Sequence, residues 1–263
     1  VVEVMVVATS AAKKDIALVR VLASSFRQHH ADIPFLVLLT DEVDGYFDPA
    51  AEPFRLLGLG ELEARDLHRL RFHYSRQELT YAVTPYLLSY LLDRGFRRVA
   101  FLKQESLVTG DLTPVLRRLD HHSIVLTPHL LAPLPGENGI ARELGILQSG
   151  VYNVGFLGVS ATPTARAFLH WWRDRLYEHC RLDVAGGMHF EQRWLDLVPA
   201  FFEDVHVVRD PGFNVGHWNL PERRVASSGE SFTVDGQPCR FVRFSGFEPD
   251  HPGAVTRYSR RLD

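Results

Sequence analysis

Short apolar runs alternating with amphipathic stretches of helical period most constrain what this chain can fold into. Residues 1–8 form a β-rich run, and the next stretch places Leu18, Val19, Leu22 and Phe26 on one helix face. Residues 35–39 make a second apolar strand and 54–57 a third, before a basic, polar-faced segment at 61–76. From Leu79 the apolar positions Ala82, Val83, Tyr86, Leu87, Tyr90 and Leu91 recur with a helical period, and Gly95 stands where a helix stop belongs. Residues 98–102 read as a buried strand that ends at Lys103. Strands separated by helices of this length predict an α/β fold, with a mainly parallel sheet flanked by helices on both faces.

The second half is less regular. Residues 123–127 and 151–159 read as strands around a Pro/Gly-rich loop at 128–139. A helix begins near Thr162 with Pro163 at its first position, and stacks Ala165, Phe168, Leu169, Trp172 and Leu176 on one face. A further helix is expected to carry Phe190, Trp194 and Leu197, and 205–208 and 240–244 read as late strands. With no internal repeat, low-complexity tract or linker, the expectation is one α/β domain over 1–263.

Composition narrows the functional classes. The chain is 46% hydrophobic and 23% charged with a formal net charge of −3, which gives no support for a nucleic-acid partner. Cys180 and Cys239 stand alone, without a CxxC pair, so neither a zinc site nor a disulfide framework is expected. No apolar stretch approaches the ~20 residues that cross a bilayer. Residues 1–8 lack a basic leader and soon meet Lys13 and Lys14, a strand rather than a signal peptide. The expected compartment is the cytoplasm.

Open α/β sheets bind ligands at the carboxyl ends of their strands. The polar residues at such ends are Thr9-Ser10, Lys103-Gln104-Glu105, Asn153 and Arg243, joined by Glu191-Gln192 just after Gly186-Gly187.

Five of these segments together resemble a known pattern. Residues 98–112 look like the strand and loop bearing the DxD motif of GT-A glycosyltransferases, and 79–92 like the helix before it. Tyr152-Asn153-Val154-Gly155-Phe156 is similar to that family's Asn-x-Gly-Phe strand. Phe190-Glu191-Gln192-Arg193-Trp194 resembles its Asp-Gln helix start, and Arg243-Phe244-Ser245-Gly246 its His-Phe-x-Gly segment. Order and spacing resemble the retaining glycogenin-like and lipopolysaccharide-galactosyltransferase-like group, and the stretches at 124–131, 152–160 and 210–220 look like a bacterial branch of it. The resemblance implies a GT-A (Rossmann-like) fold, a nucleotide-diphosphate sugar donor and an acceptor it does not identify. Asn153 and Gln192 would contact the donor sugar, Glu191 would keep the family's acid, and Thr9, Ser10, Thr84 and Gly246 would border the donor.

The departures carry as much meaning. Lys103 stands at the family's first Asp, Glu105 at the second, Arg243 at the late metal-binding His, Pro249 at a following Lys, and Thr84 at a Lys of the preceding helix. Neither a protonated lysine nor an arginine can ligate a metal. The expectation is therefore a site with no divalent metal, in which Lys103 and Arg243 supply the positive charge the leaving diphosphate needs. Glu105 would orient Lys103 or hold a donor hydroxyl. Two rivals stand beside this reading: a catalytically silent homologue that binds a nucleotide sugar or a protein partner, and an enzyme that restores a metal through Glu105 and His217.

Other features read as structural. His29-His30 and His121-His122 are expected in exposed contexts, and no H-x-x-x-H or H-E-x-x-H pattern occurs among the 13 histidines. Trp171 and Trp172 read as core, and His217 beside Trp218 as packing more than as acceptor pocket. Gly58-Leu59-Gly60 lacks the rest of a nucleotide fingerprint, and Arg257, Arg260 and Arg261 form a basic tail expected to be a solvated end.

Overall fold

The computed structural model describes residues 4–62, 67–229, 231–248, 250–251 and 253–258. Residues 1–3 and 63–66, Pro249, Arg260 and Arg261 lie outside the described residues, so the readings that rest on them do too.

In chain order the strands are β1 (Met5–Ala11), β2 (Phe35–Leu39), β3 (Arg55–Gly58), β4 (Arg98–Leu102), β5 (Ser106–Val108), β6 (Ile124–Pro128), β7 (Tyr152–Ser160), β8 (Leu182–Asp183), β9 (Met188–His189), β10 (Val205–Val207), β11 (Val225–Ser228), β12 (Ser231–Val234), β13 (Gln237–Pro238) and β14 (Phe241–Arg243). The helices are α1 (Ile16–His29), α2 (Leu67–His73), α3 (Arg76–Ala82), α4 (Thr84–Asp93), α5 (Thr113–Leu116), α6 (Gly136–Ser149), α7 (Pro163–Leu176) and α8 (Val198–Phe201). Seven strands form one sheet in the order β10-β6-β7-β4-β1-β2-β3. All its pairings are parallel except the two that β7 makes, with β4 and with β6. The α/β architecture with a mainly parallel sheet is as the sequence predicts.

Strand alternation assigns the faces. Val6, Ala8, Val99 and Phe101 join one core with α4 and α7, whereas Val7, Ala100 and Leu102 join another with Val19, Leu22 and Phe26 of α1. Both faces of β2 and β4 are thus covered, which is why these strands are continuous apolar runs. Thr162 caps α7 by accepting from the Ala165 N–H at 3.2 Å, with Pro163 at the first position. Gly95, at φ 96°, closes α4: its N–H reaches the Leu92 carbonyl while the Phe96 N–H reaches that of Leu91.

Four expectations are corrected. The periodic stretch from Leu79 is two helices that meet at Val83, because Pro85 has no N–H to offer the Tyr81 carbonyl. The Pro/Gly-rich loop is shorter than its composition suggests, since α6 begins at Gly136; only Gly139 of that helix is buried, and Ile140, Leu144 and Leu147 face outward. The stretch at 190–197 is not one helix. Phe190 takes a left-handed conformation (φ 49°), Gln192 is the N-cap of a 3₁₀ turn over Arg193–Leu197, and Glu191 precedes it. His30 is buried rather than exposed: its ring stacks on Phe26, and its Nε2 accepts from the Leu112 N–H at 3.0 Å.

Candidate active site

Lys103 follows β4 directly, and its backbone N–H donates to the Gly155 carbonyl at 3.0 Å, prolonging the ladder with β7. Because β7 runs antiparallel, its first residues lie beside the carboxyl end of β4, which brings Asn153 to Lys103. A second ladder brings in the end of the chain: β14 pairs with β5 in a register that sets Arg243 opposite Ser106, and the Phe244 N–H donates to the Glu105 carbonyl at 2.8 Å. Glu191 arrives through the left-handed turn at Phe190 and is fixed by the Trp172 indole N–H, which donates to its carbonyl at 3.1 Å.

These side chains meet at one cleft of about 1470 Å³. Lys103, Asn153, Glu191, Gln192 and Arg243 are on its wall. Of the remaining sequence candidates, Thr9, Ser10, Thr84, Glu105 and Gly246 are not. Thr9 and Thr84 are wholly buried with hydroxyls that find no partner among the described residues, and Ser10 donates to the Thr80 carbonyl at 2.9 Å. Gly246, at φ 76°, lies against the Tyr258 ring, where a Cβ would come within 2.6 Å.

The charges pair within the site. The Lys103 ammonium donates to Glu191 Oε1, both side chains being 3% exposed, and stands 3.3 Å over the centre of the Tyr81 ring. Arg243 donates to Glu105 Oε1 through Nη2 at 2.9 Å and Nε at 3.1 Å, and through Nη1 to Asn153 Oδ1 at 2.6 Å. Glu105 therefore orients Arg243 rather than Lys103, a correction set by the β5–β14 register. Burial lowers the pKa of Lys103, with Glu191 opposing and Arg243 adding to that effect. Burial acts to raise that of Glu105, but the Arg243 and Lys103 charges outweigh it and hold it below the ordinary carboxylate value.

Asn153 is the hub of the site. Its Oδ1 accepts from Arg243, from Asn214 Nδ2 at 3.1 Å and from the Gly155 N–H at 2.7 Å, which turns its Nδ2 toward His129 Nε2 at 2.8 Å. With Nε2 accepting, the His129 proton sits on Nδ1, 3.3 Å from the Val151 carbonyl. The ring is neutral, and burial pushes its pKa down to about 3. Gly155 is required here by space: a Cβ would come 2.3 Å from Asn214 Oδ1 and 2.7 Å from Asn153 Oδ1. The Gln192 amide is committed to the backbone, accepting from the Val154 N–H at 3.2 Å and donating to the Ser149 carbonyl at 2.9 Å.

Other residues complete the wall. His217 and Trp218 line the cleft, the less favoured of the readings the sequence allowed, and they are joined by His129, Tyr81 and Tyr258, which the sequence did not single out. Helix α6 turns Asn138, Ala141, Arg142, Gly145, Ile146 and Ser149 to the cleft. That spacing is one helical face, polar and small residues apart from Ile146, and it carries the helical period in the sequence without an apolar stripe. Glu105 Oε2, His189 Nδ1 and Trp218 Nε1 are buried without a partner among the described residues.

A divalent ion, which the resemblance assigns to related sites, does not fit these residues. Two of the positions that would ligate it hold Lys103 and Arg243, which can only donate. Among the described residues no three His, Cys, Asp or Glu side chains converge to hold one. No helix among them is long and apolar enough to cross a membrane.

No family model matches the chain. It is 25% identical over 233 residues to the uncharacterized protein YfnF of Bacillus subtilis (strain 168), covering 86% of this chain and 76% of that protein. Among solved structures it is similar to the galactosyltransferase LgtC in complex with donor and acceptor sugar analogs, at 18% identity and a TM-score of 0.56, over 90% of this chain and 86% of that one. A glycosyltransferase involved in glycosylation of the major capsid of PBCV-1 gives 10% identity and a TM-score of 0.53, over 94% and 96% of the two chains. At such identities the likeness is one of architecture: the chain has the α/β fold seen in glycosyltransferase structures.

Proposed function

We propose that the protein is a glycosyltransferase that moves a sugar from a nucleotide-diphosphate donor to an acceptor, retaining configuration and requiring no divalent metal. The observation that carries this reading is that Lys103 and Arg243, distant in sequence, stand on the wall of one cleft at the carboxyl end of β4. Rupture of the glycosidic bond leaves negative charge on the diphosphate, and preorganised donors aimed at that charge lower the barrier. Both cations retain capacity for this. An ammonium has three N–H bonds and Lys103 gives one to Glu191; a guanidinium has five and Arg243 uses three.

Asn153, held by Arg243 and Asn214, and Gln192, held by two backbone groups, position the donor sugar. In this reading a departing phosphate oxygen takes the acceptor's proton, so the chain needs no separate general base. The test is incubation with a panel of nucleotide sugars, with and without EDTA, following nucleotide release and thermal shift. Turnover that survives EDTA supports the proposal. Turnover abolished by EDTA restores a metal, and binding without turnover across broad acceptor panels supports a silent homologue.

A further inference from the structure

Asn153 has one hydrogen-bonding function left to offer a ligand. A carbonyl oxygen carries two lone pairs, and Asn153 Oδ1 already meets three donors: Arg243 Nη1, Asn214 Nδ2 and the Gly155 N–H. Of the two hydrogens on its Nδ2, one goes to His129 Nε2 at 2.8 Å. The other has no hydrogen-bond partner among the described residues, and Asn153 stands on the cleft wall.

His129 is held so that it can take that bond. The β6–β7 ladder shifts register between Leu126 and Pro128, and just beyond the shift the His129 backbone N–H donates to the Val151 carbonyl at 2.9 Å. The ring Nδ1 lies 3.3 Å from the same oxygen, so backbone and ring share one anchor. Trp218 meets the ring edge-on, with centroids 5.5 Å apart and planes at 77°. Asn219, wholly buried, donates through Nδ2 to the carbonyls of His129 at 3.2 Å and of Asn214 at 3.1 Å. The two residues that flank the Asn153 amide are thereby tied into one frame. A neutral imidazole that donates from Nδ1 can only accept at Nε2.

We propose that His129 is the positioning residue for Asn153: in its Nδ1–H form it takes one amide N–H and aims the other into the cleft, making Asn153 a fixed donor to a ligand oxygen. The three donors on Oδ1 decide which end of the amide faces Arg243, and the bond to His129 at the opposite end fixes the amide plane. His129 itself acts only through Asn153. That the ligand oxygen belongs to the transferred sugar rests on the proposed function; the orientation of the amide does not.

The first test needs no ligand. Nuclear magnetic resonance of the full chain with ¹⁵N-labelled histidine, the His129 signals being assigned by their loss in His129→Gln, reports which ring nitrogen carries the proton. At neutral pH the wild type is expected to show Nδ1 protonated and Nε2 bare. Asn153→Asp sets a carboxylate oxygen against Nε2 and should bring a proton there. Nε2 protonated in the wild type, or a His129 ring unchanged in Asn153→Asp, overturns the proposal, and the wild-type spectrum decides alone if that variant does not fold. The second test uses whichever nucleotide sugar turns over in the panel above. His129→Leu should raise its KM about fivefold, the size of one neutral hydrogen bond, with a smaller change in kcat. His129→Gln, whose side-chain oxygen can accept from Asn153, should recover most of that loss. A wild-type KM in His129→Leu also overturns the proposal. A chain that turns over no nucleotide sugar overturns the proposed function and leaves the spectra to decide the orientation, so the two readings fail separately.

Discussion

Arg243 and Glu105, separated by 138 positions, meet through two hydrogen bonds from the guanidinium Nε and Nη2 to a single carboxylate oxygen. Their side chains are 8% and 14% exposed, so neither charge is left to water. Truncating one partner of such a pair strands the other. Arg243→Ala is expected to destabilise the fold by about 3–5 kcal/mol, and the double variant Arg243→Leu/Glu105→Leu by much less. Urea unfolding of the single and double variants measures this; equal losses in both would show that the pairing is not what stabilises the site.

Lys103 tests the proposed chemistry. If its ammonium acts on the leaving group, Lys103→Ala lowers kcat more than it weakens donor binding. Arg243→Lys behaves alike, since an ammonium cannot reproduce the guanidinium's simultaneous bonds to Glu105 and Asn153. Steady-state rates beside donor-binding isotherms give the comparison. Unchanged kcat in both variants removes the assigned role.

Acid should weaken the protein through its buried histidines. His129 has its pKa pushed down to about 3 from an ordinary 6.5, so between those values the unfolded chain binds a proton that the folded one refuses. Stability is then retained above pH 6.5 and declines as pH falls toward 3, by about 1.4 kcal/mol per pH unit for that residue. His217, at about 4, contributes in the same direction over the upper part of the range. His129→Gln should flatten the pH dependence of the urea midpoint. A slope identical to wild type would mean that His129 is protonated in the fold.

Gly155 is a packing requirement with a functional consequence. Its missing Cβ leaves room for the Asn153 and Asn214 side-chain oxygens and for Arg243 Cδ, which a Cβ would approach to 3.0 Å. Gly155→Ala forces this network apart and is expected to cost about 1–3 kcal/mol of stability. A larger fractional loss of turnover is expected, because Asn153 and Arg243 both move. Thermal melting and rate measurements on the same sample separate the two effects.

Much of the frame is readable from residue order. The apolar runs at β1, β2 and β4 are continuous because helices cover both faces of the sheet, and that pattern survives in sequence without reference to any contact. Thr162-Pro163 and Gly95 mark helix ends because a cap and a left-handed residue act within one turn. Helix α6 was not legible, since it buries almost nothing and turns polar and small residues to the cleft instead of an apolar stripe. His217 and Trp218 likewise read as packing, because an aromatic pair on a cleft wall has the same local composition as one in a core.

The sequence alone placed Lys103, Glu105, Asn153 and Arg243 at strand ends, where an α/β sheet gathers ligands, and Glu191 at a helix start that the structure replaces with a turn. Only the tertiary structure decided which acid meets which base. The β5–β14 register gives Glu105 to Arg243, and the left-handed turn at Phe190 gives Glu191 to Lys103. Ion pairing depends on distance and burial in space, and residues this far apart in the chain acquire both only when the sheet has formed.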